Sequence, residues 1–367
     1  MNRPDKVVKA IGVMSGTSMD GIDIAMLHTD GEYFIHPEVT GAGVYSANLK
    51  KQLLALIQDP ERAAQGNVSE ITQAITDAHC AAVEAFLEHN KINPDSIDVI
   101  GFHGQTVYHA PERGITRQLF DGARAARRLG IDNVCQFRLA DVAAGGQGAP
   151  LAPLYHQALA HSSGLELPLM VLNLGGVANV TYIDHNKIMA FDTGPASALL
   201  DDFVRERIGT SFDKDGQLAQ SGFIHHAIVE KFLASGYFNR TPPKSLDRNA
   251  FHAWIDLVKP LSNGDGAATL AAFTIQSIAA SLQHLPEPPK KWLVGGGGRH
   301  NLFLMKSLES HLGVPVEPVE AVGWNGDMLE AECFAWLAVR TLKGLPLSLP
   351  STTGVPYPLT GGEISRA

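Results

Sequence analysis

Val7-Val-Lys-Ala-Ile-Gly-Val-Met-Ser-Gly-Thr-Ser-Met-Asp-Gly-Ile-Asp-Ile-Ala-Met-Leu27 holds two apolar, β-compatible runs on either side of a polar turn. Val7–Met14 and Ile22–Leu27 read as strands, and the turn formers between them read as a glycine loop. The pattern restarts further on. Leu169–Leu174 is an apolar strand, Gly175-Gly176-Val177-Ala178-Asn179 interrupts it, and Val180–Ile183 resumes it. A third run, Lys187–Phe191, ends in Asp192-Thr193-Gly194-Pro195. Two hairpins of one design in a chain of 367 residues predict two similar α/β domains. The expected division is 1–165, 166–345 and an irregular Pro/Gly/Ser-rich tail over 346–367, with the linker near Ser162–Pro168.

Between the hairpins the periodicity predicts helices over 47–60 and 69–90. In the second, Ile71, Ile75, Ala78, Ala82 and Phe86 share one face. Ile97–Phe102 reads as a buried strand running into His103-Gly104-Gln105. A helix over 121–130, a strand over 133–137 and a loop over 141–153 follow. In the second half, helices are expected over 197–208, 222–235, 267–285, 301–312 and 327–343. A strand over 291–294 leads directly into Gly295-Gly296-Gly297-Gly298.

Composition narrows the class. Hydrophobic residues make up 45% and charged residues 18%, enough to bury a large core. The net charge of −9 argues against a nucleic-acid partner held by phosphate neutralisation. Cys80, Cys135 and Cys333 lie far apart with no C-x-x-C spacing, so a disulfide framework or a zinc site is not expected. Arg3, Lys6 and Lys9 imitate the start of an export signal, but the stretch after them is too short and too polar to be one. No run approaches the ~20 apolar residues of a membrane span. A soluble, intracellular protein is the expectation.

Each motif has a functional and a plain structural reading. Gly16-Thr17-Ser18-Met19-Asp20-Gly21 can grip phosphate through main-chain N–H groups and hydroxyls, or can be an ordinary Asp-Gly hairpin turn. No G-x-x-x-x-G-K-[ST] is present, which disfavours a P-loop enzyme. Gly175-Gly176 with Asn179 is a second phosphate-loop candidate or a β-bulge. Gly295–Gly298 suits a nucleotide lying against bare backbone beside a helix start. It lacks the G-x-G-x-x-G spacing of a dinucleotide site. Asp192, at a strand's end, is placed to act as a general base, or to cap the next helix. Asp20, Asp23, Asp141, Asp327 and Glu330 are further carboxylates, of which Asp327 and Glu330 can equally serve the dipole of the 327–343 helix. His103 and Gln105 are expected to alternate on one strand and face the same way. Arg138 can pair with Asp141 or hold a substrate carboxylate.

The order of these motifs is more specific than any one of them. Ile11-Gly-Val-Met-Ser-Gly-Thr-Ser-Met-Asp-Gly-Ile-Asp23 resembles the N-terminal signature of the anhydro-N-acetylmuramic acid kinases. Gly101-Phe-His-Gly-Gln-Thr-Val107 and Phe137-Arg-Leu-Ala-Asp-Val-Ala-Ala-Gly-Gly-Gln-Gly-Ala-Pro-Leu151 resemble further blocks of that family. Leu172–Asn179, Phe191–Pro195, Val294–Asn301 and Gly326–Ala331 follow in order. Ala196-Ser197 departs from it, since the family often has Asn at the second position.

The resemblance implies an α/β fold of two ribonuclease H-like domains, of the sugar kinase/Hsp70/actin type, with ATP in the cleft. It implies that ATP and water convert 1,6-anhydro-N-acetylmuramic acid to N-acetylmuramic acid 6-phosphate and ADP, in bacterial cell-wall recycling. Asp192 would be the general base and would also touch the sugar. Gly16, Thr17, Ser18, Met19, Asp20, Gly21, Ile22 and Asp23 would cradle the phosphates of ATP, faced by Gly175, Gly176 and Asn179. Gly296, Gly297 and Gly298 would border the adenosine. Gln105 and Arg138 would bind the sugar, with Arg138 on the lactyl carboxylate. Glu330 would hold Mg²⁺ through water, or a sugar hydroxyl. A cytoplasmic homodimer with a small-molecule sugar substrate is implied. Other readings are a kinase for another 1,6-anhydro sugar such as levoglucosan, a nucleotide-switched binding protein of the actin or Hsp70 kind, and a sugar sensor without turnover.

Overall fold

The structure is a computed structural model that describes residues 7–16, 19, 21–246 and 251–367. Thr17, Ser18 and Asp20, three of the phosphate-loop candidates, lie outside the described residues. The chain forms two compact units, residues 1–164 with 328–367, and residues 165–327.

The first unit opens with the expected hairpin. β1 (Val8–Met14) pairs antiparallel with β2 (Ile22–Thr29), which pairs with β3 (Ile35–Gly43). β4 (Val99–Phe102) adds parallel to β1. β5 (Gln105–Ala110) and β6 (Ile115–Leu119) form a separate hairpin, and β7 (Asn133–Cys135) pairs parallel with β4. A final strand, Glu363–Ser365, closes the edge against β7. The tail is thus part of the sheet, correcting the irregular tail expected over 346–367. Helices Ala47–Ile57, Ser69–His89 and Gly122–Leu129 pack on this sheet close to their expected bounds. Several elements were not expected, and two of them have a clear reason. β3 has a largely exposed face and no apolar alternation. The helix Pro153–Ser162 is buried along most of its length, so it shows no amphipathic period.

The helix Leu329–Lys343 belongs to this first unit, which corrects the expected boundary at residue 345. The reason is steric. Gly12 and Gly101 are register partners on β1 and β4. A Cβ on Gly12 would lie 1.8 Å from the Ala331 carbonyl oxygen, and one on Gly101 would lie 2.1 Å from that of Phe334. Two bare backbones therefore let the helix backbone rest on the strands.

The second unit repeats the order. β8 (Leu169–Leu174) pairs antiparallel with β9 (Val177–Ile183), and β9 with β10 (Ile188–Pro195). β11 (Lys291–Gly295) lies parallel to β8, and β12 (Val316–Pro318) lies parallel to β11. Helices Ser197–Ile208, His226–Leu233, Asn263–Ala280 and Leu302–Leu312 cover this sheet. Its core holds Trp292, Phe191, Phe203, Phe232 and Phe273, the last two stacked at 4.1 Å between ring centroids. Counting each main sheet's own strands, both units run third, second, first, fourth, fifth, the ribonuclease H-like order, with β7 fifth and Glu363–Ser365 a sixth strand in the first unit.

Gly101→Ala is expected to lower unfolding stability by about 3 kcal/mol in urea titration, because neither backbone can yield. Gly114→Ala, where a Cβ meets nothing within 4 Å but φ is +68°, is expected to cost about 1 kcal/mol.

Candidate active site

In the first unit the loop after β1 rests on a buried polar network. Ser15 Oγ donates to Gln105 Oε1 (2.8 Å), and the Tyr45 hydroxyl lies 2.9 Å from Ser15 Oγ and 2.7 Å from His79 Nε2. Gln105 Nε2 donates to the Gly16 carbonyl at 3.2 Å. Burial holds the His79 imidazole at about 3, so it stays neutral. The structure thus adds to the expected sugar contact of Gln105 a part in holding the loop. Its side chain is fully buried and engaged in holding the loop. Met19 sits in the left-handed region (φ +57°) with its side chain in the core, and its N–H donates to Gly16 O. Ile22 is buried in β2, so Met19 and Ile22 have only main chain to offer a ligand. Gly21 leads into that strand, and Asp23 faces Met14 across the hairpin.

His103 and Gln105 do not alternate on one strand. Gly104, at φ +74°, separates β4 from β5 and turns the chain, and a Cβ there would lie 3.0 Å from the Leu119 carbonyl. His103 instead accepts from Arg138, whose Nε and Nη2 lie 3.2 and 3.0 Å from His103 Nε2. Burial first, then Arg138, pushes the imidazole well below its usual range, so this nitrogen is a lone-pair acceptor. Arg138 Nη1 donates to the Gly148 carbonyl at 2.7 Å. Three of the five guanidinium donors are taken, and two remain for a ligand.

The alternative pairing of Arg138 with Asp141 is not made. Asp141 accepts from Gly148 N and from Thr353 Oγ1, each at 2.6 Å, and so organises the glycine loop. Glu330 projects from the first turn of the closing helix and is open to solvent. Among the described residues it has no hydrogen-bond partner. Desolvation by the protein packed around it raises its carboxyl above the usual range, with Arg138 opposing and Asp23 adding. An acid that reaches solvent, flanked by one cation and one carboxylate, fits a hydrated Mg²⁺, which needs only one or two protein carboxylates.

In the second unit, Asp192, Asn179 and Asn173 are successive register partners across β10, β9 and β8, and Gly295 continues the row on β11. Register partners share a face, so three half-buried polar side chains line one row. Asn179 therefore lies within β9, and only Gly175-Gly176 forms the turn. The turn is held from the start of the next helix. The Ser197 N–H and hydroxyl both donate to the Gly175 carbonyl (3.0 and 2.9 Å), and the Ala196 N–H donates to Gly176 O at 3.1 Å. Ser197, where the family often has Asn, thus acts on the loop. Asn173 was missed from sequence, although it and Asn179 stand equally far from Gly176, the spacing that pairs residues across a hairpin.

The Gly295–Gly298 run serves two purposes. Gly296 (φ +74°) and Gly298 pack on the end of β8, where Cβ atoms would lie 2.3 Å from Asn173 Oδ1 and 2.6 Å from Leu174 Cβ. A Cβ on Gly297 would meet nothing within 4 Å, so its face is open to a ligand. Buried Arg299 fixes the loop, donating to Gly296 O (3.0 Å), Glu320 Oε1 (2.9 Å) and Asp327 Oδ1 (2.7 Å). Asp327 is thus an Arg299 partner rather than a helix cap.

Asp192 sits where β10 bulges, the register slipping between Asp192 and Gly194. Burial raises its carboxyl to about 7, partly offset by a hydrogen bond from Leu246 N to Oδ2 at 2.7 Å. A carboxylate near neutrality is matched to proton abstraction at physiological pH.

Two sheets of one strand order, each opening on a glycine-turned hairpin, define the sugar kinase/Hsp70/actin class. A family model described as anhydro-N-acetylmuramic acid kinase matches residues 8–366. The anhydro-N-acetylmuramic acid kinase of Rhodospirillum rubrum is 50% identical over 366 residues, covering 99% of this chain and 95% of that one. That of Methylobacterium nodulans is 48% identical, covering 98% and 100%. Component A of the Acidaminococcus fermentans (R)-2-hydroxyglutaryl-CoA dehydratase superposes with a TM-score of 0.48 at 12% identity, covering 92% and 99%. This chain belongs to the anhydro-N-acetylmuramic acid kinase family.

The raised Asp192 carboxyl carries a stability signature. The native state holds that proton more tightly than the unfolded chain, whose value is 3.8, so stability is lost as pH rises from about 4 to about 7. Asp192→Asn removes this loss. In thermal melts its advantage over wild type is expected to grow across that window and to stay constant above it.

Proposed function

We propose that this protein opens 1,6-anhydro-N-acetylmuramic acid with water and phosphorylates the released O6 from ATP, giving N-acetylmuramic acid 6-phosphate and ADP. The observation that carries the mechanism is Asp192: half-buried, at a bulge, held by one backbone donor and titrating near neutrality. Asp192 takes a proton from water as the water oxygen bonds to the anomeric carbon. The bond from that carbon to O6 breaks, and O6 attacks the γ-phosphorus. The bridging oxygen leaves on ADP, and the proton on Asp192 passes to solvent.

The main chain of Gly16, Met19, Gly21, Ile22 and Asp23, with Thr17, Ser18 and Asp20, binds phosphate oxygens, as do Gly175, Gly176 and Asn179. Gly297 presents open backbone to the adenosine, and Gly296 and Gly298 shape that loop. Arg138 receives the lactyl carboxylate on its two remaining donors. Gln105 acts through the loop it holds. Glu330 would hold Mg²⁺ through water or take a sugar hydroxyl, and the ion would neutralise charge between the β- and γ-phosphates. The same reading makes the protein a cytoplasmic homodimer that recycles cell-wall sugar.

A coupled ADP-release assay with mass spectrometry of the product tests this. Wild type is expected to yield a 6-phosphate carrying one added water, and Asp192→Asn to lose roughly 1,000-fold or more in kcat. Absence of sugar-dependent ADP release from folded wild type would refute the reading. Arg138→Ala is expected to lower kcat/KM for this sugar roughly 100-fold while leaving the same anhydro sugar without its lactyl group nearly unaffected. Equal losses on both sugars would remove Arg138 from carboxylate recognition.

A further inference from the structure

Asp192 lies on β10, the edge strand of the second sheet, so one side of its backbone has no strand partner. The segment Tyr237–Leu246 fills that side at three points around one residue. The Asp192 N–H donates to the Lys244 carbonyl (2.9 Å), the Tyr237 hydroxyl to the Asp192 carbonyl (2.6 Å), and the Leu246 N–H to the Asp192 carboxylate (2.7 Å). The segment thus grips both the main chain and the side chain of the proposed base.

Lys244 fastens the segment to itself. Its Nζ donates to the carbonyls of Tyr237 (3.2 Å) and Phe238 (3.1 Å) and lies 3.3 Å from His284 Nε2. The ammonium stands 4.7 Å from the Tyr237 ring centroid and 5.8 Å from that of Phe191. The residue is 9% exposed and has no carboxylate partner among the described residues. A buried ammonium without a counter-ion is costly, and a methionine would fill the same space with less desolvation. Stability alone does not account for a lysine here, whereas closing the loop back onto Tyr237 does.

We propose that Tyr237–Leu246 is a brace for Asp192, with Lys244 and Tyr237 as positioning residues that hold the Leu246 N–H on the carboxylate. The inference rests on Asp192 being the base but concerns how that base is held. Among the described residues, the charged and titratable groups around it are Tyr237 at its carbonyl, Lys244 and His284 behind the brace, and Arg240, which acts on Tyr237 and Lys244. Asn179, its partner on β9, is neutral. Loosening the brace weakens the one hydrogen bond that favours the ionised carboxyl, so the proton is held more tightly.

The test follows the Asp192 carboxyl carbon by ¹³C NMR in aspartate-labelled protein, assigned by its disappearance in Asp192→Asn. Wild type, Lys244→Met and Tyr237→Phe are titrated, and kcat and KM are measured across the same pH range. Both variants are expected to move the titration upward by about one pH unit. They are also expected to lower kcat roughly 10-fold with both KM values near wild type. Tyr237→Phe changes no charge at neutral pH and removes one hydroxyl, so it separates the brace from the loss of the ammonium and serves if Lys244→Met does not fold. A lowered melting temperature with an unmoved titration in Tyr237→Phe would overturn the brace. A moved titration without any change in turnover would uphold it and instead refute Asp192 as the base.

Discussion

The first unit is organised by the contact between a helix backbone and two strands. Gly12 and Gly101 face each other across β1 and β4, and the carbonyls of Ala331 and Phe334 occupy the space where their side chains would be. Helices normally stand off a sheet by the depth of a side-chain layer, and here that layer is missing. The first turn of Leu329–Lys343 is thereby fixed against the two strands whose C-terminal ends carry Ser15 and His103. Glu330 on that turn is consequently in electrostatic contact with Arg138 and Asp23, although some 190 and 300 residues separate it from them in the chain. A single methyl on either glycine would displace an acid that no residue near it in sequence could reposition.

The second unit uses a different device. Its polar groups are carried by the sheet as a row running from Asp192 through Asn179 and Asn173 to Gly295. The loops around the row are tied by groups that a ligand would not need to touch. Ser197 ties the Gly175-Gly176 turn, Arg299 ties Gly296, and Asn173 lies where a side chain on Gly296 would have to go. Such ties fix main-chain position before any ligand arrives, which is what recognition of phosphate by backbone N–H groups requires.

Local period made the hairpins β1–β2 and β8–β9, the long helices and the glycine loops legible, because each has one buried face and a turn chemistry of its own. Three things escaped for physical reasons. β3 is specified by pairing and by the fit of Gly41 and Gly43 against Phe86 and Ala82, so it has no apolar alternation to read. Pro153–Ser162 is buried on nearly all sides and so lacks an amphipathic stripe. The closing helix has a clear helical pattern, but its membership of the first unit depends on two glycines far upstream. Among the proposed site residues, Asp192, Arg138 and Glu330 could be named because the chemistry proposed for them is in their side chains. The bonds of Gln105 to Ser15, Tyr45 and the Gly16 carbonyl were not legible, because which way a buried amide faces depends on residues far away in the chain. The Leu246 N–H has no sequence signal at all, since every residue but proline carries one.

Half-buried Asp192 differs from the buried aspartates Asp141 and Asp213 in how its carboxylate is filled. Asp141 accepts from Gly148 N and Thr353 Oγ1, and Asp213 from Leu218 N and Ala219 N, so each has two donors fixed by the fold. Among the described residues, Asp192 accepts a side-chain hydrogen bond from Leu246 N alone. A carboxylate with two buried donors is a structural tie, and protonating it breaks a bond that the fold requires. A carboxylate with one donor keeps one oxygen to receive a proton, and burial raises its affinity for that proton. Burial raises the Asp192 carboxyl to about 7 and its backbone donor opposes that rise, so the hold on Leu246 bears directly on its basicity.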